Sequence, residues 1–108
     1  MNFNTFEVIE YIKMRLQDEN ANESLIEQLI ELIHDRLLLR LQVEFLPTCF
    51  LSILKDATIK LYRKSYFEGI TSESSDGLTT TFVDDVLSEY AFEISEYRKK
   101  RNGKVKFL

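Results

Sequence analysis

The chain has 108 residues, 44% of them apolar, which suits one domain with one modest core and disfavours both a disordered tail and a membrane protein. Three Gly and one Pro leave little turn chemistry for a sandwich or barrel of short strands, and one Cys with one His excludes an intramolecular disulfide and the usual zinc frameworks. A formal net charge of −4 argues against a protein that coats nucleic acid.

The first helix is predicted to start at Asn4, which can cap free N–H groups while Glu7 completes a capping box. Phe3 and Val8 then fall at the positions of a hydrophobic staple, and Phe6, Ile9, Ile12 and Leu16 recur on one face. The polar run from Asp18 to Asn22 ends this helix, because Asn and Asp tolerate the left-handed conformation. A second helix follows, capped by Asn20 with Glu23 or by Asn22 alone. Leu25, Leu29 and Leu32 make one stripe, and Ile26, Ile30, Ile33 and Leu37 a second. Its end, Leu37 to Leu41, is apolar almost all round. Such a turn either meets another subunit or lies between the third and fourth helices.

Pro47 is predicted at the first position of a third helix, with Leu46 pushed toward an extended conformation. Phe50, Leu51, Leu54, Ala57, Thr58, Leu61 and Tyr62 give that helix its period, and Gly69 is its expected stop. Cys49 reads as a small core residue, and His34, with no nucleophile at motif spacing, as structural or exposed. Asp76-Gly77 reads as a turn, and Leu78 to Val83, rich in β-branched residues and Phe, as extended. A connection this long is functional or disordered. Asp84 or Asp85 is expected to cap a last helix whose buried face is Leu87, Tyr90, Ala91, Ile94 and Tyr97. Tyr62, Tyr66, Tyr90 and Tyr97 read as core rims. Arg98, Lys99, Lys100 and Arg101 lie in its final turn, where cations complement the helix dipole, and Asn102-Gly103 ends it.

The expected architecture is therefore all-α. A bundle of four main helices, at about 4–17, 21–42, 47–67 and 85–101, carries one extended arm at about 69–83 and a basic tail over 102–108, in a single domain over 1–108. The N-terminus has neither a basic n-region nor an apolar h-region. The longest nearly charge-free run, Phe45 to Leu54, is too short to span a bilayer, so synthesis in a reducing cytosol is expected. There is no internal repeat. Residues 1–47 are acidic on balance, whereas the end of the chain is basic.

One order of motifs stands out. Leu46-Pro47 opens a helix that closes with Tyr62-Arg63-Lys64 and Glu68-Gly69. Ser72-Glu73-Ser74, Asp76-Gly77, Thr81-Phe82 and Asp84-Asp85 follow, then a Tyr-containing helix ending in bases. This order, over about residues 46–100, resembles the tailed-bacteriophage head–tail connectors (head-completion adaptors), whose commonest triplet, Tyr-Asn-Arg, differs from this one at its middle position and has Arg where Lys64 stands. The resemblance implies a structural virion neck protein and no enzyme or cofactor. It implies a ring of about twelve copies of the chain, stacked between the portal protein and the next neck or tail component, with DNA passing through unread. It implies a virion location after synthesis in the host cytoplasm. An acidic body suits a channel that must not grip phosphates.

On that resemblance an intersubunit arm comprises Glu68, Gly69, Thr71, Ser72, Glu73, Ser74, Gly77, Thr81 and Phe82. A portal-docking tail comprises Arg98, Lys99, Lys100, Arg101, Lys104, Val105, Lys106, Phe107 and Leu108, charge steering it and apolar groups anchoring it. The plainer readings are a solvated loop for Ser72 to Ser74 and dipole complement for the basic run. No Walker loop, nucleophile elbow or Cys-x-x-Cys occurs, and the Asp84-Asp85 pair lacks the further carboxylates a metal needs. The alternative function is a small helical nucleic-acid-binding regulator that uses the basic run as its handle; a hydrolase built on carboxylates alone is the remaining enzyme class.

Overall fold

The computed structural model describes residues 2–18, 20–67 and 76–106, and for 66–67, 76–81 and 102–106 the backbone path alone. Among the described residues five α-helices follow in order: α1 (Thr5–Leu16), α2 (Glu23–Leu41), α3 (Leu51–Phe67), α4 (Asp76–Ser88) and α5 (Ala91–Lys106). A single 3-10 turn, Thr48–Phe50, leads into α3, and no strand occurs among the described residues. The expected all-α class is present.

Asn4 caps α1 and Asn22 caps α2, each side chain accepting the N–H three residues on, of Glu7 and of Leu25. Both helices end on a left-handed glutamine, Gln17 (φ 56°) and Gln42 (φ 59°); for α1 it stands in place of the expected Asn or Asp. The geometry is that of a Schellman stop: Asp18 N–H reaches Lys13 O, and Val43 N–H reaches Leu38 O. Pro47 is extended (ψ 141°) and precedes the 3-10 turn, one position earlier than expected; its carbonyl accepts from Phe50 N–H.

α2 is the central strut. It packs on α1, α3, α4 and α5, and α3 in turn packs on α1 and α4. Ile26, Leu29, Ile30, Ile33, Leu37 and Leu41 of α2 are fully buried against Ile12, Leu54, Leu61, Val83, Val86 and Leu87. Tyr62 joins the two halves of the chain: its hydroxyl accepts the N–H of Asn22, tying α3 to the α2 cap. Asn2 donates to Leu46 O and so pins the N-terminal segment to the α2–α3 connection.

Several expectations are corrected. Residues 76–83 are helical, not extended, because Val83, Val86 and Leu87 bury one face of α4 between α2 and α3, and that burial outweighs β propensity. Asp76-Gly77 therefore opens a helix instead of making a turn. The helix expected from about 85 is two helices. Between them Glu89 and Tyr90 donate to the carbonyls three residues back, a tight turn reinforced by Ser88 Oγ on Asp85 O. Asp84 and Asp85 lie inside α4 and cap nothing. α5 runs through Asn102-Gly103 to Lys106, so most of the expected tail is helix. Phe6 is 70% exposed, and the buried face of α1 is Val8, Ile9 and Ile12. Cys49 is exposed rather than a core residue, because the 3-10 turn rotates Phe50 inward in its place. His34 is buried, edge-on to Phe3 at 5.7 Å, with Nδ1 3.2 Å from Asp35 Oδ1.

Candidate functional site

The chemistry-bearing residues of the second half sit around α5. Helical register divides that helix: Ala91, Ser95 and Arg98 lie on one side of the buried Ile94, and Tyr97 and Arg101 on the other. A cleft opens on each side.

The first cleft, about 370 Å³, is lined by Arg40, Ala91, Ile94, Ser95, Arg98 and Lys99. It is basic, but Arg40 is engaged with Asp84 of α4 at 3.0 Å, a pair half open to water and hence weak. The second is a groove of about 1140 Å³ beside the C-terminal end of α2. Leu38, Leu39, Val43, Phe45 and Tyr97 form its apolar lining, and Arg101, Gln42, Asp35 and Glu44 complete it. Leu39 and Phe45 are each 69% exposed. Tyr97 is held edge-on to Phe50 at 5.4 Å, which fixes one wall. Arg101 donates to the carbonyls of Leu41 and Gln42 at 3.3 and 3.0 Å. These are orphan carbonyls of the α2 end, where a cation also meets the negative pole of the dipole.

A polar cluster holds the α4–α5 turn onto α3. Tyr90 donates its hydroxyl to Asp56, whose carboxylate lies 3.4 Å from Lys60, and Lys60 reaches Glu89 at 3.1 Å and covers the Tyr90 ring at 5.0 Å. The hydrogen bond from Tyr90, with help from Lys60, holds Asp56 below the usual carboxylate range. Burial, and then the same bond to Asp56, pushes the Tyr90 phenol up to about 12. Hydrogen bonding to Tyr90 and Glu89 raises Lys60. The cluster is a clamp. Nothing in it pairs a nucleophile with a base.

Among the residues expected to form an intersubunit arm, Glu68, Gly69, Thr71, Ser72, Glu73 and Ser74 lie outside the described residues. Gly77 and Thr81 are on the α4 backbone. Phe82 is half-buried, its ring under Lys64 at 5.7 Å. Among the tail residues, Arg98 and Lys99 line the basic cleft and Lys100 is exposed. Arg101 serves the α2 end. Lys104, Val105 and Lys106 continue α5, and Phe107 and Leu108 lie outside the described residues. Sequence reasoning marked the Leu37 to Leu41 turn but missed Phe45 and the groove. In the folded chain Leu37 and Leu41 are buried, Leu38 is half-buried, and Leu39 faces solvent, so the expected packing within the chain holds for Leu37 and Leu41. The signal that was available is the run Val43-Glu44-Phe45, where large apolar residues sit in a connection too short to fold back.

Among the described residues no group of three His, Cys, Asp or Glu converges as a metal site, and no helix is long and apolar enough to cross a membrane. Residues 8–98 match the family model described as phage gp6-like head–tail connector protein. No curated protein and no solved structure matches the chain.

Proposed function

We propose, on the premise that the chain belongs to the phage gp6-like head–tail connector family, structural proteins of the virion neck, that it closes into a ring between the portal and the next neck or tail component. The family match over residues 8–98 carries this reading. Three physical features support it. The exposed groove offers apolar area that a lone chain leaves in water, as a subunit of an assembly would. A net charge of −4 repels phosphates and favours passage of DNA over capture. The clefts present shape and charge without a catalytic pairing.

The test is the mass of the purified protein, measured by light scattering alone and with the portal protein of the same phage. The expected result is a closed multimer on the portal. A chain that stays monomeric and unbound in the mixture overturns the reading. A nucleic-acid regulator is the weaker reading, because Arg40 and Arg101 are already committed to Asp84 and to the α2 carbonyls.

A further inference from the structure

The helices are not held alike. α1 buries Val8, Ile9 and Ile12, and α4 buries Val83, Val86 and Leu87. From Ala91 to Arg101, by contrast, Ile94 alone is buried, with Glu96 and Tyr97 half-buried and the other side chains exposed. Among the described side chains, this stretch of α5 is attached by Ile94, by the edge-on contact of Tyr97 with Phe50 at 5.4 Å, and by Arg101 on the carbonyls of Leu41 and Gln42. Its root is fixed separately. Tyr90 donates to Asp56, and Glu89 meets Lys60 at 3.1 Å, so the turn before α5 is fastened to α3 by contacts that use no residue of α5.

α5 also stands between the two clefts. Arg98 and Lys99 line the first with Arg40, and Tyr97 and Arg101 line the second with Leu39 and Phe45. Lifting α5 off α2 joins them into one face. Nor is α5 a helix that persists alone. Its 16 residues are near the length at which an isolated helix is marginal in water, and Gly103 weakens its last turn. A released α5 therefore unravels, and its amide protons exchange with water. We infer that α5 is a strap, rooted at the Glu89–Tyr90 turn and latched to the end of α2 by Arg101, which opens as one unit while the rest of the chain stays folded. A segment with so few buried apolar side chains lies at the low end of local opening free energies. Opening frees Ile94 and Tyr97 and gives a partner a continuous surface that the closed chain divides. The inference concerns the single chain and stands apart from the ring reading.

Native-state hydrogen exchange of the whole chain, read by NMR at low urea concentrations, tests it. Amides from Ser95 to Arg101 are expected to exchange together, about 100-fold or more faster than those from Leu29 to Leu37, and with a shallower dependence on urea. Two variants separate the strap from the body. Asn22→Ala removes the α2 cap and speeds α2 exchange about fivefold, but leaves α5 unchanged, because the body is weakened equally in the closed and open forms. Arg101→Ala speeds both, since the latch is lost in the open and in the unfolded chain alike. A third protein carries Gln42→Cys and Arg101→Cys in a Cys49→Ser background, which removes the exposed native thiol. Joining the two new thiols with a short bis-maleimide slows α5 exchange toward the α2 rate. One common rate for α5 and α2 overturns the inference, as does an Asn22→Ala variant that speeds both equally. Arg101→Ala without effect on α5, a link that leaves α5 exchange unchanged, or wild-type α5 amides that exchange like an unstructured peptide overturn it too.

Discussion

The two ends of α2 are built from the same residue types and have opposite fates. From Leu25 to Ile33, Leu25, Ile26, Leu29, Ile30 and Ile33 are enclosed against α1 and α3, and Leu32 is half-buried beside them. From Leu37 to Phe45 the partners thin out. Leu37 and Leu41 are enclosed, while Leu39 and Phe45 stand in water around an open groove. The difference teaches that hydrophobicity alone does not set burial in a chain of 108 residues. Burial requires a second element across the face, and at this end α5 covers one side only. What α5 supplies instead is a stop for the helix, through Arg101 on its last carbonyls.

The sharpest way to break this comparison is to truncate two leucines that sit two positions apart. Leu37→Ala should cost about 2–5 kcal/mol, the usual range for a fully buried leucine, whereas Leu39→Ala should stay within about 0.5 kcal/mol. Urea unfolding followed by circular dichroism reads both. Equal losses would mean that the groove is closed in solution.

A smaller effect is expected at the clamp that fastens α5 to the body. Tyr90→Phe removes the bond to Asp56 and should cost about 1 kcal/mol at neutral pH, the usual worth of such a bond discounted for the half-exposed carboxylate. Its pH dependence is specific. A phenol whose folded pKa is raised contributes stability that is complete below pH 10 and is lost as pH rises toward about 12. A carboxyl whose folded pKa is depressed contributes stability present above its ordinary value of 3.8 and lost as pH falls below it. The gap between wild type and Tyr90→Phe should therefore narrow at both extremes. A gap that is flat from pH 3 to pH 12 would show that the hydroxyl does not couple to Asp56.

The smallest effect concerns the helix stop. Gln42 holds a left-handed conformation that Gly adopts without a Cβ clash, so Gln42→Gly should gain about 0.5–1 kcal/mol. The gain should persist in an Arg101→Ala variant if the stop is set by local backbone geometry. If it vanishes there, Arg101 and not the Schellman turn holds the end of α2. Thermal melts of the four proteins separate these outcomes.

The α1 and α2 boundaries were legible because they depend on local chemistry: Asn4 and Asn22 each satisfy an N–H three residues away, whatever else the chain does. The core stripe of α2 was legible for the same reason, since a 3.6-residue period needs a helix to make one face of it. The α4 segment was not. Thr79, Thr80 and Thr81 favour extended backbone, and only the pocket that α2 and α3 offer to Val83, Val86 and Leu87 reverses that preference. The break at Glu89-Tyr90 has no Gly or Pro to mark it, because a distant residue, Asp56, holds the turn in place. Of the candidate surfaces, the basic run and the apolar turn were visible in the chain, but not that Arg101 reaches the carbonyls of Leu41 and Gln42 or that Phe45 faces out.

By itself, then, the sequence determined an all-helical domain, where α1 and α2 begin, the apolar stripe of the central helix, the separation of acidic and basic regions, and the head–tail connector family. Tertiary structure alone decided that residues 76–88 are helix, which leucines of one apolar turn are hidden, and which cation ends α2. The physical reason is range. Capping and periodicity act over three or four residues, whereas burial, and the choice of partner for an arginine or a tyrosine, depends on groups that folding brings from 34 to 60 positions away.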